Sequence, residues 1–156
     1  METAPVVHST FVVERRFPVP AEQVFAAFAD PALRRKWYAE GHRNEVVTFA
    51  SDLRAGGESR LVFKLGDDTP FPGVEIATTE RFDDVVPHRR IVSTQLMTFD
   101  GRNISSALIT VELTPDDAGA MLTFTHQGAF FENSGGPEMR EHGWRLLFDQ
   151  LGEMFA

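Results

Sequence analysis

The chain has no cysteine among its 156 residues, which excludes disulfide staples, thiolate nucleophiles and cysteine-based zinc sites together. It also has little positive charge: fifteen Lys and Arg stand against twenty-three Asp and Glu, a net −8. That balance argues against nucleic acid and against a membrane surface as partners. The one basic cluster, Arg34-Arg35-Lys36, is short enough to read as a solvated helix face. No run approaches the ~20 apolar residues of a membrane-spanning helix. The opening Met1-Glu2-Thr3-Ala4-Pro5 lacks a secretion-signal pattern, so a cytoplasmic protein is expected. The five histidines (His8, His42, His88, His126 and His142) show no spacing suited to a metal, and none is expected. Phosphate-binding loops, dinucleotide glycine fingerprints and nucleophile elbows are absent too, which leaves no cofactor implied.

What is present is lopsided. Fourteen Phe accompany two Trp and one Tyr, and Phe fills space without a polar tip that needs a partner. At this length a single domain over residues 1–156 is expected, with roughly two-thirds of the unfolded surface buried.

The periodicity gives an element order. Ser9 to Phe17 reads as a strand, ended by Pro18 and Pro20. Ala21 to Ala29 reads as a helix with Val24, Phe25 and Phe28 on one face. Asp30-Pro31 then caps a second short helix in which Leu33 and Trp37 pair at i, i+4. Beyond residue 44 the period becomes two. Strands are expected over Glu45–Ser51, Glu58–Leu65, Val74–Asp83, Arg89–Phe99, Asn103–Thr114 and Ala120–Ala129, separated by turn residues such as Asp100-Gly101 and Pro115 to Gly119. Such short connections favour antiparallel neighbours. A last helix opens at Pro137 and sets Trp144, Leu147, Phe148, Leu151, Met154 and Phe155 on one face. The expected fold is therefore α+β, a curved antiparallel sheet of six to seven strands gripping a long C-terminal helix. One helix covers only part of such a concavity, and the remainder is expected to be a cavity.

Several stretches resemble a known family. They are Pro20 to Trp37, Gly56-Gly57, Glu80-Arg81-Phe82 with Pro87 to Ile91, Leu122 to Phe131, and Gly143-Trp144 with Leu147 and Leu151. Together they resemble the START-like helix-grip superfamily, also called SRPBCC. Within it they are most similar to the branch homologous to the C-terminal domain of the activator of the heat-shock-protein-90 ATPase. The resemblance implies a pocket for a hydrophobic or amphipathic small molecule under the C-terminal helix. It also implies two alternatives: a cyclase or hydrolase using groups in that pocket, or a co-chaperone partner of heat-shock protein 90. At His126 the sequence departs from the family, which often carries Thr-Glu-Gln-Gly there.

Alternation places His126 on the face of Leu122 and Phe124, toward the helix, where an imidazole could orient a ligand or act as acid or base. The competing reading is a core-edge histidine. Glu80 shares a face with Ile76, Thr78 and Phe82 and is the weak candidate for its catalytic partner. If Glu80 instead pairs with Arg89 or Arg90, it is structural. His142 suits either the pocket mouth or a solvated face. Trp37, Phe49, Phe63, Phe124, Trp144 and Phe148 are the candidate pocket walls; each reads first as an ordinary core residue, and in this architecture one residue can be both. A binding protein without catalysis is the leading expectation. An exposed sheet edge would also permit a homodimer.

Overall fold

Inward–outward alternation along seven strands builds the sheet. The computed structural model describes residues 4–40 and 45–156; Met1 to Thr3 and His42 lie outside them. The elements run β1 (Val7–Phe17), α1 (Ala21–Ala29), α2 (Pro31–Arg34), a π-helical turn (Arg35–Ala39), β2 (Glu45–Ser51), β3 (Glu58–Lys64) and β4 (Glu75–Val86). They continue as β5 (Arg90–Phe99), β6 (Arg102–Asp116), β7 (Gly119–Phe130) and α3 (Gly136–Glu153). All neighbouring strands pair antiparallel, in the order β1-β7-β6-β5-β4-β3-β2. The expected α+β helix-grip architecture is the one observed.

Two strands run at least two residues past their expected ends for physical reasons. β4 continues to Val86 because a bulge between Phe82 and Asp84 resets its pairing with β5. β6 absorbs Pro115 and Asp116, which pair with Ala120 and Gly119 at the end of the hairpin. A proline is tolerated at such a strand end.

The order has a consequence for the core. β1 and β2 are opposite edges of the sheet, so the chain joining them must cross its width. That chain is α1, α2 and the π turn, which lie with α3 on the concave side. The expected helix through Leu33 and Trp37 becomes an α-turn followed by a π turn. Successive residues Trp37, Tyr38 and Ala39 are all buried there, while Leu33 is only half-buried. A π turn is wider than an α turn and often marks a functional site.

Between sheet and α3 the space is occupied by rings. Trp144 lies 4.5 Å from Phe124, 5.9 Å from Tyr38 and 5.6 Å from Phe148, centroid to centroid. Trp37 adds contacts of 5.0 Å to Phe28 and 6.2 Å to Phe148. Phe148 and Leu151 are fully buried against this stack, each contributing on the order of 1.5–3 kcal/mol by burial. The cavity expected beneath the helix is therefore small. It measures about 20 Å³, bounded by Arg34, Trp37, Glu80, Phe82, Phe124 and Trp144, room for roughly one water. The helical connection, not foreseen as a filler, takes the volume that α3 leaves.

Candidate functional site

Sheet register assigns the inner-face residues to rows. One row runs Phe11, His126, Ile109, Ser93, Phe82 from β1 to β4, and the next runs Gly128, Ala107, Gln95, Glu80 from β7 to β4. The second row is small or polar throughout, whereas the rows beside it carry Phe11, Phe82 and Phe130. Gly128 is needed in it. A Cβ there would stand 2.7 Å from the Phe130 ring and 2.9 Å from the His126 ring.

Glu80 faces inward as expected, but its partner is Arg34. The Arg34 guanidinium donates to Glu80 at 2.8 Å, and the Ser93 hydroxyl donates to the other carboxylate oxygen at 2.5 Å. Neither Arg89 nor Arg90 is involved; Arg90 instead bonds Asp84 on the exposed side at 2.6 Å. The Arg34 side chain is itself buried, so the basic cluster is not wholly a solvated face. Its position three and four residues before Trp37 and Tyr38 puts it on the inner stripe. Burial opposes the Arg34 charge, yet Glu80 and Tyr38 outweigh it and hold its pKa above the usual guanidinium value. The guanidinium also lies 4.5 Å over the Tyr38 ring.

Tyr38, which the sequence reading did not single out, stands beside this pair. Burial, reinforced by the Glu80 charge, pushes its phenol up to about 12, so it keeps its proton. Gln95 donates to the phenol oxygen at 3.4 Å.

His126 is fully buried, stacked on Phe11 at 4.6 Å and on Phe130 at 5.8 Å. Neither ring nitrogen has a hydrogen-bond partner. Burial, and secondarily the charge of Arg140, pushes its pKa down to about 4, so the imidazole is neutral at pH 7. Its strand and that of Glu80 are separated by β6 and β5. At the usual strand spacing that is ~14 Å along the sheet, and Glu80 is already engaged by Arg34. The two candidate acid/base groups face the same side without being brought together.

The other side chain the sequence reading missed is Arg140, on the inner stripe of α3 one turn before Trp144. It is 9% exposed, with its guanidinium 5.2 Å over the Phe130 ring. One terminal nitrogen has no partner, and among the described residues no carboxylate forms an ion pair with it. Burial lowers its pKa to about 10. The nearby Ser105 hydroxyl row position, paired to Phe130 across β6 and β7, is likewise buried and unpartnered. In the sequence each arginine stands three or four residues before an inward Trp, a spacing that alone does not separate a buried charge from the end of an apolar face.

The remaining candidates are distributed simply. Trp37, Phe124, Trp144 and Phe148 are buried, Phe49 and Phe63 half-buried, and His142 exposed. Among the described residues, no three His, Asp or Glu side chains gather as metal ligands. No helix among them is long and apolar enough to cross a membrane.

Comparisons with known proteins agree on the fold. The family model described as "Activator of Hsp90 ATPase homolog 1-like protein" matches residues 18–156. A solved structure from Rhizobium loti is 39% identical, with a TM-score of 0.85, over 96% of this chain and 99% of that chain. An uncharacterized protein of Rhizobium leguminosarum is 27% identical, with a TM-score of 0.89, over 97% of this chain and 96% of its own. A protein of Chromobacterium violaceum is 28% identical, with a TM-score of 0.77, over 94% and 96%. No curated protein matches the chain.

Proposed function

Because the chain belongs to the Activator of Hsp90 ATPase homolog 1-like family, we propose that it binds an amphipathic small molecule between the sheet and α3. The observation that carries this reading is the concentration of unpartnered buried polar atoms on that interior. Both His126 nitrogens, an Arg140 nitrogen, the Ser105 hydroxyl and the Arg34 Nε have no hydrogen-bond partner. More than ~90% of buried polar groups in native proteins are paired, because an unpaired one costs about 1–3 kcal/mol. Unpartnered polar atoms spread over one interior are explained by a ligand that supplies the missing partners. A space of about 20 Å³ cannot hold such a molecule, so binding requires the rings of Trp144 and Tyr38 to turn aside.

The acid/base alternative finds no support in the separation of His126 from Glu80, and binding without catalysis is the reading kept. The family description refers to activation of the Hsp90 ATPase; the interior described above does not bear on that activity, and the proposal does not extend to it.

Trp37 and Trp144 sit at the site, so binding is readable by their fluorescence. A graded series of medium-chain amphiphiles should give saturable emission changes that lose most of their amplitude in Trp144→Phe. Absence of saturation across the series, with no rise in thermal midpoint, would overturn the proposal.

A further inference from the structure

Among the described residues, the charges buried beneath α3 do not balance. Arg34 and Glu80 neutralise each other at 2.8 Å, His126 is uncharged at neutral pH, and Arg140 is left as one uncompensated cation. Its neighbours give only part of what a buried guanidinium requires. The face of Phe130 at 5.2 Å supplies a cation–π attraction but no acceptor for the unpartnered nitrogen. Isolated charges are seldom buried without a partner. Its position on the inner stripe of α3, one turn before Trp144, keeps this side chain buried over Phe130.

We infer that Arg140 is the anchor for the headgroup of the ligand, and that this headgroup is a carboxylate. This rests on the binding reading above and adds the ligand's chemical class to it. A carboxylate fits on three grounds. A guanidinium offers a planar fork matched to two carboxylate oxygens. One negative charge neutralises one surplus cation, whereas a phosphate monoester, at roughly −1.5 to −2 near neutrality, would leave a buried anion in excess. The surrounding groups are donors in their neutral forms: the Tyr38 phenol keeps its proton, and Ser105 carries a free hydroxyl. The aromatic wall of Trp144 and Phe124 then receives an apolar tail. The ligand is thus an apolar monocarboxylate, held head-first at the N-terminal half of α3.

The test compares a medium-chain fatty carboxylate with the primary alcohol of the same length, at neutral pH, by tryptophan fluorescence and by calorimetry. The wild-type chain should bind the carboxylate about 10- to 100-fold more tightly, the usual value of a charge-assisted hydrogen-bonded contact. Arg140→Gln should bring the two affinities within about 2-fold, and Arg140→Lys should retain part of the preference. Equal affinities in the wild type, or a preference that survives Arg140→Gln, would overturn the carboxylate assignment while leaving binding itself intact. If neither compound binds the wild-type chain, the binding reading fails and the assignment with it. The wild-type comparison needs no variant, so it decides the matter even if Arg140→Gln folds poorly.

Discussion

Arg34 and Glu80 stabilise the fold only as a pair. Arg34→Met leaves the Glu80 carboxylate buried with Ser93 as its sole donor, and should cost about 3–5 kcal/mol in denaturant unfolding. Arg34→Met combined with Glu80→Leu should recover most of that loss, because no charge is then stranded. A double variant as unstable as the single would mean the pair contributes net stability. His126 gives a second residue-level expectation. Its pKa is about 4 folded against 6.5 for an ordinary histidine, so between those values the unfolded chain binds more protons. The histidine's contribution is therefore fully favourable above about pH 6.5 and is lost as pH falls toward 4, by about 3 kcal/mol. His126→Phe, which preserves stacking on Phe11 and Phe130, should remove that part of the acid sensitivity in paired unfolding curves. Unchanged acid sensitivity would show that His126 is not its source. Arg140→Gln removes the secondary cause of the depression, so the His126 titration followed by NMR should move upward yet stay below 6.5.

At the scale of elements, the π turn joins α3 in filling space that the sequence pattern left as a cavity. The stripe from Trp144 to Leu151 was legible because bulky residues recur at helical spacing. Arg140 was not, since a charged residue one turn earlier reads as the end of an apolar face. Glu80 likewise showed its face by alternation but not its partner, because Arg34 lies 46 residues away and reaches it only after the chain crosses the sheet. The π turn was invisible for a different reason. The same residues read as an ordinary helix, and only the demand to bury Trp37 and Tyr38 together widens it. This changes what Trp144 is expected to do. Wrapped by Phe124, Tyr38 and Phe148, it is a filler as well as a wall. Trp144→Ala should cost about 3–5 kcal/mol and open a cavity. Added indole should then raise the thermal midpoint of the variant and leave the wild type unmoved. No indole effect on the variant would mean that the core collapses into the space.

Across the whole molecule, the two halves of α3 are held unequally. Its C-terminal half is anchored: Phe148 and Leu151 are fully buried, Arg15 on β1 bonds Asp149 at 2.5 Å and the Arg145 carbonyl at 3.2 Å, and Phe17 meets Phe155 edge-on at 5.5 Å. Its N-terminal half opens at two left-handed glycines, Gly135 at φ 78 and Gly136 at φ 87, where the Gly136 N–H donates to the Ser134 hydroxyl at 3.1 Å. It carries Met139 at 65% exposure and the unpaired Arg140. Local opening draws on the least stable segments, so under the proposed binding the segment from Pro137 to Trp144 is expected to open for a ligand while the sheet remains intact. Amide hydrogen exchange should be faster in that segment than in the Leu147–Leu151 turn or in β6 and β7. A saturating carboxylate should slow exchange in the N-terminal segment selectively, because it binds the folded chain there and stabilises it by mass action. Uniform protection along α3, unaltered by ligand, would place the route of access elsewhere in the molecule.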